Sequence, residues 1–253
     1  MLIDTHCHLY LNEFQQDLDD VMQRALAAGV SRFYLPAVDS STTAAMMNLE
    51  LLYPGSCMAM IGLHPCSVKE NYEGEMDMVK DWLSKRKFAA IGEIGLDFYW
   101  DKTFAKEQYQ VFNEQIELAI HYGLSIVIHT REAMAETIAV VRNYKGRIKG
   151  IFHCFGGSIE EARQIIDLGF YMGIGGVVTY KKSGLAEVIK DIPLEHIVLE
   201  TDAPYLTPVP FRGKRNESSY IKYVQEKIAE AKAVSTEEVA AITTGNARKI
   251  FPY

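Results

Sequence analysis

Short apolar runs recur along the chain, and five of them lead into an imidazole or a carboxylate. Met1-Leu2-Ile3 leads to His6 and His8, Ala89-Ala90-Ile91 to Glu93, and Leu124-Ser125-Ile126-Val127-Ile128 to His129. Gly150-Ile151-Phe152 leads to His153, and Ile197-Val198-Leu199 to Asp202. Runs of this kind fit strands buried on both faces of a parallel sheet. Each delivers its polar residue at the carboxyl end, where barrel enzymes keep their chemistry. An open doubly wound sheet does not bring residues from the first, fourth, fifth, sixth and eighth strands around one point. A closed barrel does.

The intervening segments are amphipathic. Residues 14–28 place Phe14, Leu18, Val21, Met22, Ala25 and Leu26 at helical spacing, with Gly29 as a stop. Residues 104–121 form the clearest helix, and residues 132–143, 217–233 and 236–251 continue the pattern, the last with Ser235 as N-cap. Further strands are expected at residues 33–35, 58–63, 88–94 and 170–174. The alternation predicts an α/β fold, a (β/α)8 TIM barrel in a single domain spanning residues 1–253, since such barrels commonly have about 250 residues. No linker, low-complexity tract or repeat divides the chain.

Composition narrows the class. Apolar residues are 48% and charged residues 23%, as in ordinary globular domains. No run approaches the roughly 18 apolar residues of a membrane span, so no membrane partner is expected. The opening residues lack the basic and apolar regions of a secretory signal, and Cys7, Cys57, Cys66 and Cys154 show no close pairing. A cytoplasmic protein with reduced thiols is the expectation. A net charge of −7 argues against a broad nucleic-acid-binding surface but not against an enzyme that admits a strand end. Arg212, Lys214 and Arg215, with Lys181 and Lys182, are the local exception; a solvated basic loop is the competing reading.

His6 and His8 are two apart, so on an extended strand both leave the same face. Together with Glu93, His129, His153 and Asp202 they form a donor set suited to divalent ions such as Zn²⁺ or Mn²⁺. Six ligands exceed the three protein ligands of one catalytic zinc, so two ions sharing a carboxylate fit better. Glu93 is the expected bridge, between one ion held by His6, His8, Glu93 and Asp202 and another held by Glu93, His129 and His153. A metal brings the pKa of bound water from about 15.7 to near 7, and the resulting hydroxide would attack a phosphorus or carbonyl centre. Asp202 is placed to shuttle its proton, which makes Asp202 and Glu93 the expected catalytic carboxylates.

Glu200, two residues before Asp202, either orients a ligand or ends its strand. His64, in Gly62-Leu63-His64-Pro65, reads as a substrate-phosphate ligand or as a turn histidine. Arg131, two past His129, should face the same mouth and grip phosphate, unless it pairs with Glu132. Lys181 is a weaker phosphate candidate. Gly173 to Gly176 is too short for a nucleotide loop, and no G-x-S-x-G elbow is present. Cys7 and Cys154 should point away from the ligands, and the aromatics read as core or rim, with Tyr99 and Trp100 held in reserve for base stacking.

Several ordered motifs then carry a family resemblance. Asp4-Thr5-His6-Cys7-His8, Gly62-Leu63-His64-Pro65 and Gly92-Glu93-Ile94-Gly95-Leu96-Asp97 are three of them. Ile128-His129-Thr130-Arg131, His153-Cys154-Phe155-Gly156-Gly157 and Glu200-Thr201-Asp202-Ala203-Pro204-Tyr205-Leu206 are the others. The chain resembles the TatD family of metal-dependent hydrolases from Met1 to Phe251, and departures at Phe98, Glu132 and Ser218 lie outside the ligand set. The resemblance implies a barrel with two divalent metals, and a cytoplasmic Mg²⁺-dependent deoxyribonuclease with 3′→5′ exonuclease activity on single-stranded DNA ends. Relatives with this barrel also act on carboxylic esters and amides, and a D-aminoacyl-tRNA deacylase is the alternative. A metal-storing protein is a third, non-enzymatic reading.

Overall fold

A strand that is apolar on both faces is stable only between two neighbouring strands with helices outside them. In the computed structural model, which describes residues 1–251, the apolar runs meet that requirement by closing a ring. The strands are β1 (Leu2–Asp4), β2 (Val30–Leu35), β3 (Cys57–Ala59), β4 (Ile91–Asp97), β5 (Ile126–Arg131), β6 (Gly150–Phe152), β7 (Tyr171–Ile174) and β8 (Ile197–Leu199). All pairings are parallel and follow chain order, from β1 to β3 and from β4 to β8. Two seams complete the ring. Thr5 N–H donates to Leu199 O at 3.0 Å and Asp202 N–H to His6 O at 2.9 Å; opposite them, Gly92 N–H donates to Ile61 O at 2.9 Å. Parallel bridges at Cys7–Ala203 and Ile61–Ile91 lie in the same seams.

Helices α1 (Leu18–Ala27), α2 (Ser40–Leu52), α3 (Tyr72–Lys85), α4 (Ala105–Tyr122), α5 (Met134–Arg142), α6 (Ile159–Asp167), α7 (Leu185–Asp191), α8 (Ile221–Lys232) and α9 (Thr236–Ile250) alternate with the strands and close the chain. Local signals set several of their ends. Ser158 and Glu161 form a capping box before α6, Ser235 caps α9, and Gly123 takes the left-handed φ of 66° that stops α4. The helix expected over residues 132–143 begins two residues late because Glu132 itself adopts a left-handed φ of 51°.

The lower end of the barrel is plugged. Ile3, Tyr34, Met60, Ala90, Val127, Ile151 and Val198 point inward and form one apolar cluster with Ala247, Ile250 and Phe251 from the end of α9. The Phe251 ring stacks on Tyr34 with centroids 4.0 Å apart. Asn246, one turn earlier, donates to Leu194 O and Ile197 O at 2.8 Å each. The inward column continues upward with period two, so Val127 is followed by His129, Ile151 by His153, and Val198 by Glu200.

Two strands depart from this column: β1, where Ile3 faces inward but the chain past Asp4 turns His6 and His8 to the mouth, and β4. The expected span of β4, residues 88–94, gives way to Ile91–Asp97, with a register irregularity between Ile91 and Ile94. Glu93 therefore lies near the start of the strand and not at its carboxyl end. Close contact with β5 requires glycine at position 95, where a Cβ would stand 1.9 Å from His129 O.

At the upper end, two buried amides of α4 take the place of a neighbouring strand. Gln108 accepts from Asp97 N–H at 2.9 Å and donates to Asp97 O at 3.1 Å. Gln115, two turns on, does the same for Leu63, at 2.7 and 3.1 Å. These pairs fix the backbone on either side of the mouth. Gln108→Leu leaves the Asp97 N–H and C=O unpaired in a dry setting, at about 1–3 kcal/mol each. At ~2–4 °C per kcal/mol for a chain of this size, calorimetry should show Tm falling by at least several degrees. An unchanged Tm would show that water or a local shift replaces the clamp.

Candidate metal centre

The upper mouth collects side chains from five strand ends around Glu93. Its Oε2 lies 3.1 Å from His6 Nε2 and 3.6 Å from His8 Nε2. Its Oε1 lies 2.9 Å from His129 Nδ1, 3.0 Å from His153 Nε2 and 3.4 Å from His64 Nε2. Asp202 Oδ1 stands 3.6 Å from both His6 Nε2 and His8 Nε2. Asp202 takes a left-handed φ of 56°, which turns the chain back across the mouth. The His6 and His153 rings stack with centroids 3.7 Å apart. All six expected ligands thus meet, and three overlapping groups offer donor atoms within 4.8 Å of one another: His6, His153 and Asp202; His6, His8 and Glu93; His64, Glu93 and His129. His153 spans the two expected sets, grouping with His6 and Asp202 while reaching Glu93 Oε1.

Which nitrogen of each ring is free for an ion follows from what its other nitrogen does. His8 Nδ1 donates to the Tyr10 hydroxyl at 2.8 Å, which donates in turn to Pro36 O at 2.5 Å, so the Nε2 lone pair faces inward. His129 Nε2 donates to Asp97 Oδ2 at 2.9 Å, which leaves Nδ1 toward Glu93. His153 Nδ1 donates to Glu200 Oε1 at 3.2 Å, which leaves Nε2. His64 is the reverse case. Its Nδ1 accepts from Cys66 N–H at 3.0 Å, so the neutral ring carries its proton on Nε2 and points a donor into the mouth. His6 Nδ1 is buried without a partner among the described residues.

Charge follows the same geometry. Burial alone would push the Glu93 carboxyl up, but His153, His6 and His64, with the hydrogen bond to His129, hold it well below the usual range. Burial would likewise raise Asp202, and His8, His153 and His6 bring it down. For His153, burial opposes the charged form, yet Glu93 and Glu200 raise it well above an ordinary histidine. His129 is raised against burial by Asp97 and Glu93. His6 and His64 are lowered, chiefly by burial. Asp4, fully buried, is pushed up to about 7 by desolvation although Thr201 and the His6 N–H bond it. It ties β1 to the loop that carries Asp202.

This donor set fits divalent metal ions. Imidazole nitrogens and carboxylate oxygens converge in a buried cluster, and the His8, His129 and His153 rings are oriented by a hydroxyl or an outer carboxylate, as metal-bound histidines generally are. Glu200 is an outer partner in this arrangement. Its Oε1 also accepts from Cys154 N–H at 2.6 Å, and Gly173 makes room for it, since a Cβ there would stand 2.0 Å from Glu200 Oε2. Asp97 and Tyr10 were given no role by sequence reasoning, although period two was a usable signal: His6, His8 and Tyr10 alternate, as do Glu93 and Asp97.

The expected cations part company. Arg131 lies on the rim with its guanidinium carbon 3.8 Å from the Tyr99 ring centroid. Lys181 is exposed and outside the cluster. Arg215 is engaged by Asp17 through two 2.7 Å hydrogen bonds, and Arg212 lies over Tyr180 at 4.1 Å. Cys7 is fully buried in the apolar core, away from the ligands as expected.

Comparison with known proteins gives this centre a setting. Residues 3–252 match the family model described as TatD related DNase. The chain is 42% identical over 253 residues to the uncharacterized metal-dependent hydrolase YabD of Bacillus subtilis (strain 168), covering 99% of each. It is 32% identical over 258 residues to the 3'-5' ssDNA/RNA exonuclease TatD of Salmonella typhimurium, covering 99% of this chain and 98% of that one. The crystal structure of YjjV, a TatD homolog from Escherichia coli K12, shares the fold with a TM-score of 0.93 at 29% identity, over 100% of this chain and 98% of that one. With its barrel, its imidazole–carboxylate cluster and a family match across nearly its whole length, the chain belongs to the TatD family of metal-dependent hydrolases.

Proposed function

We propose that this hydrolase is a nuclease that removes nucleotides from the 3′ end of single-stranded DNA. The observation that carries the reading is the buried cluster around Glu93, with the exposed cation Arg131 at the end of the neighbouring β5. The TatD relative described as a 3'-5' ssDNA/RNA exonuclease supports the choice of substrate. The four cysteines are unpaired, in keeping with action in the cytoplasm, and no helix among the described residues is long and apolar enough to cross a membrane.

In this reading His6, His8, Glu93 and Asp202 would hold one divalent ion, and Glu93, His129 and His153 would hold a second. Bound ions of this kind supply Lewis acidity that acidifies water and steadies negative charge on phosphoryl oxygens. Asp202, held ionised by its histidine neighbours, accepts the proton of the attacking water and returns it to the leaving oxygen. His64 presents its Nε2–H to a non-bridging phosphoryl oxygen, the one ring of the five oriented as a donor by its backbone partner. Arg131 and Lys181 bind phosphates farther along the strand.

Metal-stripped protein incubated with 5′-labelled single-stranded DNA should progressively shorten it from the 3′ end when Mg²⁺, Mn²⁺ or Zn²⁺ is restored. Asp97→Asn should lose about 10–100-fold, as outer partners of metal-bound histidines do, and Glu93→Ala more than that, with folded structure retained. Shortening by metal-free Glu93→Ala would overturn the reading. No cleavage with any ion would move the substrate to a carboxylic ester or amide.

Metal uptake should also release protons. His153 is raised well above, and His129 above, an ordinary histidine, so the metal-free protein holds their protons to higher pH, and those protons leave when an ion takes the nitrogen. Calorimetric titration in buffers of differing ionisation enthalpy should show that release, and apparent affinity should climb with pH. Heats independent of buffer would contradict it.

A further inference from the structure

The rim above β4 and β5 carries a feature that cleavage chemistry does not use. Trp100 is 68% exposed and Tyr99 49%, side by side, with ring centroids 4.8 Å apart and planes at 84°. Large aromatic rings left this open cost hydrophobic free energy unless something covers them. They are not loosely held. The Tyr99 and Trp100 N–H groups both donate to Asp97 Oδ1, at 3.0 and 3.2 Å. The other oxygen of that carboxylate takes the Nε2–H of the ligand His129. One side chain thus fixes both the metal-facing imidazole and the aromatic pair. Arg131, in register with Asp97 across the β4–β5 ladder, lays its guanidinium over both rings, 3.8 Å from the Tyr99 centroid and 5.1 Å from that of Trp100.

We infer that Tyr99, Trp100 and Arg131 form a nucleobase-stacking subsite that seats an unpaired base beside the scissile phosphate. This rests on the nuclease reading and deepens it. An aromatic face accepts the π-face of any base, and a guanidinium already stacked on a ring keeps its N–H edge free for the adjoining phosphate. The combination matches the base–phosphate repeat of a single strand. A base inside a duplex has both faces covered, so the subsite selects single-stranded or frayed ends and tolerates any sequence. Carboxylic ester substrates without bases gain nothing from it. Tyr99 and Trp100 act as positioning residues, while the reacting atoms remain with the cluster below.

The test measures binding apart from cleavage. The chain has two tryptophans, so Trp82→Phe leaves Trp100 as the single one. Affinity is read in every variant from the anisotropy of a 5′-fluorescein-labelled, phosphorothioate-linked octathymidylate, and of a labelled abasic strand of the same length and backbone, added to the metal-loaded protein, with Trp100 quenching as a second readout where Trp100 is present. Octathymidylate should quench Trp100 and bind about fivefold or more tightly than the abasic strand. Trp100→Ala and Tyr99→Ala, checked for fold by circular dichroism, should erase that preference without weakening abasic binding. Arg131→Ala should weaken both strands. Equal affinity for the two strands, absence of binding, or an undiminished preference in Trp100→Ala would each overturn the subsite. The two readings separate: cleavage with no base preference discards the subsite and keeps the nuclease, whereas base preference without cleavage keeps the subsite and discards the nuclease.

Discussion

The structure turns on one carboxylate. Glu93 sits 3.6 Å or less from a nitrogen of five different imidazoles, in a mouth that excludes most water. A buried carboxylate on its own would take up a proton, and buried imidazoles on their own would lose theirs. Together they offset these costs in part: Glu93 is held ionised and His153 and His129 are raised, while burial keeps His6 and His64 lowered. Removing Glu93 leaves mutually repelling or desolvated rings.

Support for this carboxylate and its rings is layered. Asp97, Glu200 and Tyr10 orient His129, His153 and His8 from behind, and Gln108 and Gln115 of α4 clamp the backbone of Asp97 and Leu63 in turn. Asp4 reaches from β1 to the Thr201 turn that carries Asp202. The lower barrel is closed by Phe251 and its neighbours from α9, so the chemistry has a single open end among the described residues. A plugged lower end and partial exposure above suit a hydrolase that must hold ions firmly and admit its substrate from one side.

Much of this was legible in the residues. His129 and His153 follow inward-facing Val127 and Ile151 at period two, and an apolar run ending in histidine needs no tertiary knowledge to be suspected. Glu93 is legible as a strand residue, but the residues suggest the carboxyl end of the strand, whereas β4 begins at Ile91 and runs on to Asp97. Tautomers were not legible: the Cys66 N–H that makes His64 a donor depends on a turn, not on a pattern. The same holds for the cations. Arg215 and Lys181 look alike as cations of two basic loops, yet Asp17, 198 residues from Arg215 in sequence, claims only the first. Nor did helix periodicity show that the last turn of α9 would plug the barrel, because its apolar residues read equally well as an outer helix face.

The central claim is that Glu93 joins two ions in one centre. Anomalous diffraction from crystals of the metal-loaded protein measures this directly. Two peaks should flank the Glu93 carboxylate, about 3.5–4 Å apart as in other two-metal sites, and Glu93→Ala should lose at least one of them. A single peak, peaks elsewhere in the barrel, or two peaks persisting without the Glu93 carboxylate would contradict the account.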